Sequence, residues 1–317
     1  MLRASRVIGL LEAACAALAL LAAKPAISVS PPLSAPRIIK HFDLAQGRLP
    51  ENIALEPDGS ADLTLSLARQ IGRVGADGEL TVLATLPAPA DPATPLVGVP
   101  LVEGITRAHD GTLFFTYATG TDDLTGIWRL RPGGAPERIA ALPANVFPNG
   151  LALDERESVL YSTDSALGVV WAVPRAGGTP TVWTSGRVLE PTTGFGANGL
   201  KVHHHALWVG NTDTGTLLRI PIRQEGSAGP AETRATGLTG IDDFAFVGPG
   251  DSLIAALDVT NEVVRIAPDG SHHTVLTGRD GLSNPTSVAV CGTTVYIPSA
   301  AYFTRSDPNL LLATLES

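Results

Sequence analysis

The chain has 317 residues, long for one domain but within the range of closed all-β folds. With 22 basic and 31 acidic residues it carries a formal charge of −9. It has no Lys/Arg run dense enough to follow a phosphate backbone, which argues against nucleic acid as a partner.

In chain order, Arg3 and Arg6 precede the apolar stretch "VIGLLEAACAALALLAA" and a set of small residues. This pattern predicts a secretory leader over residues 1–30, with an A-x-S cut after Ser28. Glu12 interrupts the stretch, which argues against a stable membrane span. It also stands three residues before Cys15, where a lipoprotein site has an apolar residue. Residues 31–317 are then expected to be a single secreted or periplasmic domain acting as a monomer. Cys15 leaves with the leader and Cys291 keeps no partner, so packing must hold the fold.

One phrase then recurs six times: "ENIALEPDG" from Glu51, "EGITRAHDG" from Glu103, "NGLALDERE" from Asn149, "NGLKVHHHA" from Asn198, "DDFAFVGPG" from Asp242 and "TSVAVCGTT" from Thr286. The steps are 52, 46, 49, 44 and 44 residues. A second alternating run follows each copy, such as "LTLSL", "LYSTD" or "LWVGN". In the first five a third run and a Gly-rich turn come next, and usually a fourth run. Four antiparallel strands at a period of roughly 45 residues describe a blade too small to bury its own faces. The fold class is therefore all-β, a six-bladed β-propeller; a two-sheet sandwich has no reason to repeat such a unit six times. The sixth copy ends with only three strands, near "NLLLATL". The run "RIIKHFDL" at residues 37–44 belongs to no copy, so this early strand is predicted to complete the last blade and close the ring.

In such a ring the start of each first strand and the end of each second strand share one face. Glu51, Glu103, Asn149, Asn198, Asp242 and Thr286 should circle one mouth of the channel, joined by Asp164 and Asn211 from second strands. Taken singly these are ordinary strand-entry residues. In common register their oxygens suit a hard divalent cation, Ca²⁺ or Mg²⁺ ahead of Zn²⁺. The seven histidines fall elsewhere: His41 in the closing strand, His109 and His203–His205 in turns after first strands, His272 and His273 after a third-strand turn. A histidine-based nucleophile or general base at the mouth is thereby disfavoured. The His203–His205 run reads as a solvated hairpin tip open to chance capture of a transition metal. Cys291, on the equivalent turn of the sixth copy, reads as a half-buried small hydrophobe. Two long links, "PAPADPATPLVGVPL" and "SGRVLEPTTGFGA", lead to the same mouth. Either they are proline-stiffened surface linkers, or with Phe147, Phe195, Tyr117, Leu96 and Val97 they form apolar walls over the polar ring.

From about residue 37 to 315 the chain resembles the SMP-30, gluconolactonase and luciferin-regenerating-enzyme family. The resemblance is carried by "PENIAL", "PNGLALD" with "LYSTDS", "ANGLKV" with "LWVGN", and "IDDFAF" with "VVRIAPDG". It implies one divalent metal, Ca²⁺ foremost with Mg²⁺ and Zn²⁺ as alternatives, held by Glu51, Asn198 and Asp242, with Asn149 contacting substrate. The sugar-lactone members have an Arg where this chain has Phe147, and their Asn-Asp-Gly is here Asn149 followed directly by Gly150. A more apolar lactone or ester is therefore the expected small-molecule substrate. The cation would activate carbonyl and water, and Glu103 or Asp243 would take up the proton. Two other readings stand beside this one. The chain also resembles fungal propellers with phrases like "LPENIA" and "NPTS" that are implicated in cycloadditions, which implies a non-hydrolytic, pericyclase-like biosynthetic enzyme. The remaining reading is a binding propeller without chemistry.

Overall fold

The structure, a computed structural model, describes residues 33–316; the leader expected over residues 1–30 lies outside them. Among the described residues β1 (Leu33–His41) comes first, followed by five blades of four strands each. Blade one is β2 (Pro50–Leu55), β3 (Ala61–Leu65), β4 (Gln70–Val74) and β5 (Leu80–Thr85). Blade two is β6 (Leu101–Arg107), β7 (Leu113–Ala118), β8 (Gly126–Leu130) and β9 (Glu137–Ala141). Blade three is β10 (Pro148–Asp154), β11 (Val159–Asp164), β12 (Val169–Pro174) and β13 (Thr181–Ser185). Blade four is β14 (Ala197–His203), β15 (Ala206–Asn211), β16 (Thr216–Pro221) and β17 (Glu232–Ala235). Blade five is β18 (Ile241–Phe246), β19 (Leu253–Leu257), β20 (Glu262–Ile266) and β21 (His272–Thr277). Blade six has β22 (Ala289–Cys291), β23 (Thr294–Ser299) and β24 (Asn309–Leu315) from the end of the chain. Its fourth, outer strand is β1, antiparallel to β24.

The molecule is thus a six-bladed β-propeller closed by its N-terminal strand. That strand lies slightly earlier than the sequence suggested. Two bulges, Ser34/Arg37 and Ile38/Lys40, distort its outer edge, and Arg37 and Lys40 place charge there. Both features discourage pairing with another chain.

Among the described residues there is no single core. Six apolar clusters each fill the interface between two neighbouring blades; Trp208 with Phe244 joins blades four and five, and Leu63 with Leu310 joins blades one and six. Second strands are buried along nearly their whole length, entirely so in β3 and β15, because a blade covers each face. This explains their alternation of apolar residues with hydroxyls. Thr64, Thr116 and Thr163 donate to the carbonyls of Glu103, Asn149 and Asn198 in the next blade, at 2.6, 2.6 and 2.5 Å. Carbonyls that the inner strands cannot pair are satisfied in this way.

Those carbonyls are free because each inner strand of blades one to five bulges where its ring residue sits. Between Pro50 and Ile53, Val102 and Ile105, Pro148 and Leu151, Ala197 and Leu200, and Ile241 and Phe244, two residues face one on the partner strand. A bulge bends the strand and re-aims one side chain. The residue after the ring position is Gly104, Gly150 or Gly199 in blades two to four. A Cβ on Gly150 would lie 2.5 Å from the Asn198 carbonyl oxygen and 2.8 Å from Leu200. Gly150→Ala is therefore expected to cost about 1–3 kcal/mol, read as a lower denaturation midpoint at unchanged m-value.

Candidate functional site

The five bulged residues Glu51, Glu103, Asn149, Asn198 and Asp242 converge at one mouth of the channel, around a cavity of about 270 Å³. Thr286, the expected sixth member, instead donates to the Pro50 carbonyl at 3.0 Å and helps close the ring. Asp258, Thr212 and Tyr302 complete the polar floor. Val97, Leu101, Phe147, Phe195 and Phe303 form the walls, with Arg305 as the basic residue among the lining groups. Phe147 and Phe195 meet edge to face with ring centroids 5.4 Å apart. The first long link contributes Val97, itself partly open to solvent, to the cavity lining, whereas Leu96 does not line it.

Four carboxyl groups are buried together here, and burial is the main cause of their altered acidity. Glu51 and Asp242 are held well above the usual carboxylate range, by desolvation first and then by Glu103 for the former and Glu51 for the latter. Burial pushes Glu103 and Asp258 up to about 7. Tyr302 donates a 2.6 Å hydrogen bond to Glu51, and Ser66 a 3.3 Å bond to Glu103. Four such groups in low dielectric cannot all ionise unless a cation compensates them.

The residues present fit a hard cation. The Asn198 amide donates through Nδ2 to Thr212 Oγ1 at 3.0 Å, which leaves its oxygen free. Asp258 Oδ1 is buried with no hydrogen-bond partner, a costly state for a carboxylate oxygen that an oxygen-seeking ion would relieve.

Besides Thr286 and Leu96, four residues expected at the site do not line the cavity. Asp243 follows Asp242 in the same bulge but points to the other side of the inner strand. Its oxygens accept from Lys201 Nζ at 2.6 Å, Ser287 Oγ at 2.8 Å and Asn52 Nδ2 at 3.1 Å, a clasp that ties blades one, four, five and six together. Asp164 caps its own turn, accepting from the backbone N–H groups of Phe147, Ala166 and Leu167 at 3.1 Å each. Asn211 donates to the carbonyls of Val188 and Glu190 and so anchors the second long link. Tyr117 is sealed in the interface of blades one and two, its hydroxyl on the Pro87 carbonyl at 2.8 Å.

The second-strand error is one of parity. Successive strand residues face opposite sides. The residue one step further on reaches the cavity in two blades, Thr212 after Asn211 and, in blade five, Asp258, whereas Ser165 after Asp164 donates to the Ala197 carbonyl at 2.8 Å; the N–H groups of Ser165, Thr212 and Asp258 pair with the carbonyls of Phe147, Gly196 and Gly240. The small hydroxyl or carboxylate that follows "LYSTD", "LWVGN" and "LIAAL" was a legible signal for it. Tyr302, Phe303 and Arg305 lie in the connection between β23 and β24, beyond any repeat phrase.

No histidine lines this cavity. A larger groove of about 530 Å³ opens on the opposite face between blades one and two, but its Arg107 and Arg73 are already paired, with Glu56 at 2.8 Å and Asp62 at 2.7 Å. Cys291 is a free thiol, exposed and not half-buried as its sequence context suggested. No helix among the described residues is long and apolar enough to cross a membrane.

No protein-family model matches the chain, and no curated protein matches it. Solved structures do. A calcium-binding regucalcin of Agrobacterium tumefaciens is 16% identical, with 89% of this chain covering 95% of that one at a TM-score of 0.65. A gluconolactonase of Xanthomonas campestris is 17% identical, with 90% covering 97% at 0.61. A virginiamycin B lyase of Staphylococcus aureus is 16% identical, with 89% covering 100% at 0.59. Proteins named for a hydrolase, a calcium-binding protein and a lyase share this architecture, so the likeness establishes the fold, and function must be argued from the site.

Proposed function

We propose that this propeller is a hydrolase of a lactone or ester with an apolar body, working at the channel mouth with one divalent cation held by Glu51, Asn198 and Asp242. The observation that carries the reading is the buried set of four carboxyl groups, one with an unpartnered oxygen, beneath an aromatic wall. The regucalcin and gluconolactonase likenesses support it at the level of the fold. Such an ion, Ca²⁺ by donor type, would supply Lewis acidity toward the acyl oxygen.

The chain's own groups supply the rest. Asn149 lines the same cavity as Glu103, and its side-chain amide can orient the substrate carbonyl. Glu103 accepts the proton of the attacking water as its oxygen bonds to the acyl carbon. The same proton then passes to the departing alkoxide as the acyl C–O bond breaks. Phe147, Phe195 and Leu101 hold the apolar body and exclude competing water. Asp258 takes the place that Asp243 held in the sequence reading, as the further carboxylate facing the cavity.

The test is a panel of aliphatic lactones, sugar lactones and aryl esters assayed with added divalent metal and with chelator. Turnover of apolar members that chelator removes and Ca²⁺ restores is the expected result. Phe195→Ala should lower kcat/KM for them by roughly tenfold or more while sparing sugar lactones. Turnover indifferent to chelation refutes the metal-dependent mechanism and favours a non-hydrolytic biosynthetic enzyme. Inertness to the whole panel favours a binding propeller.

A further inference from the structure

On the face opposite this cavity, the hairpin joining β14 to β15 turns through His204 and His205, both in the left-handed region at φ of 47° and 54°. Two-residue turns of this kind ordinarily carry Asn or Gly. Here the turn lays His204 back over His203, with ring centroids 3.8 Å apart. His203 is in turn stacked on Phe246, centroids 3.7 Å apart and planes within 13°, so its ring is locked. From the next blade, the β18–β19 turn brings Asp251, whose Oδ1 lies 3.4 Å from both His203 Nε2 and His204 Nδ1. His203 Nε2 is buried and makes no hydrogen bond.

Those separations are long for hydrogen bonds. They match the edge of a tetrahedron, since ligands bound at about 2.0–2.1 Å to a tetrahedral ion stand roughly 3.3–3.4 Å apart. All three ligand atoms lie within 4.8 Å of one another.

We propose that His203, His204 and Asp251 form a second metal site, separate from the channel mouth, that takes a transition-metal dication of the Zn²⁺ class with a fourth position open to water. Two imidazoles and one carboxylate select Zn²⁺, Cu²⁺ or Ni²⁺ over Ca²⁺ and Mg²⁺. Because the donors come from two blades, the ion would staple the hairpin of blade four to that of blade five.

The experiment uses the full chain carrying Glu51→Gln and Asp242→Asn, which removes donors at the mouth. Zn²⁺ is titrated by calorimetry, and Co²⁺ by the visible absorption of its tetrahedral complexes. About one Zn²⁺ per chain should bind, uncontested by Ca²⁺. His204→Gln and Asp251→Asn, both at partly exposed positions, should each weaken Zn²⁺ binding by at least about tenfold. His205→Ala should leave it unchanged, because His205 turns instead toward Arg156. The proposal is overturned if the mouth substitutions abolish Zn²⁺ binding, or if His204→Gln and Asp251→Asn leave it intact. Equal losses from His205→Ala and His204→Gln would also overturn it, showing adventitious capture by an exposed histidine run only.

Discussion

Deleting the chain through residue 46 is expected to destroy cooperative folding, whereas a chain beginning at residue 31 should melt as the full-length protein does. The deletion removes β1, which buries Leu33 and half-buries Ile38 and Ile39, together with Phe42, whose N–H holds the Pro308 carbonyl at 2.7 Å. At about 1.5–3 kcal/mol for a fully buried apolar side chain, these four account for about 5–8 kcal/mol. A domain is typically stable by only about 5–15 kcal/mol. The same deletion uncovers the backbone edge of β24, so aggregation should accompany the loss. Thermal unfolding with light scattering checks both, and equal melting of the two chains would rule out closure by β1.

The second large effect separates two adjacent aspartates. Asp242→Asn should reduce turnover by at least about 10³-fold, because a lost ligand removes several kcal/mol of charge stabilisation from the transition state. In metal-free protein its melting temperature should hold or rise, since Asp242 is buried among other carboxyl groups that resist its ionisation. Asp243→Ala should do the reverse. It leaves Lys201, Ser287 and Asn52 without their shared acceptor, at a cost of about 2–4 kcal/mol. That corresponds to a melting point lower by roughly 5–10 °C in a domain of this size. Where Asp243→Ala still folds, turnover should persist. Matched kinetics and melting curves of both variants decide the matter; loss of turnover with Asp243→Ala at unchanged stability would return Asp243 to the site.

Much of this protein was legible before any coordinates. The recurring phrase set the number of blades, the strands in each and the shortfall in the sixth, because repeats that stack only on their neighbours must carry the same pattern of burial. The unmatched run near residue 37 then had one edge to occupy. Five of the six residues that open the phrases, Glu51, Glu103, Asn149, Asn198 and Asp242, line one cavity, since a common register in sequence becomes a common height in a ring; the sixth, Thr286, does not.

What only the tertiary structure decided is which way each polar side chain faces. Counting by twos along a strand holds while the ladder is regular, and the inner strands add one residue at the ring position itself. That extra residue sends Asp242 to the cavity and Asp243 to Lys201. On the second strands, one step of parity brings Thr212 to the cavity where Asn211 had been expected, and Asp258 to it at the matching position of blade five. Tyr302 and Arg305 reach the mouth from a connection without period, and Asp251 meets His203 from another blade. Meetings of that kind depend on how separate hairpins pack against each other, and no local pattern in the sequence records it.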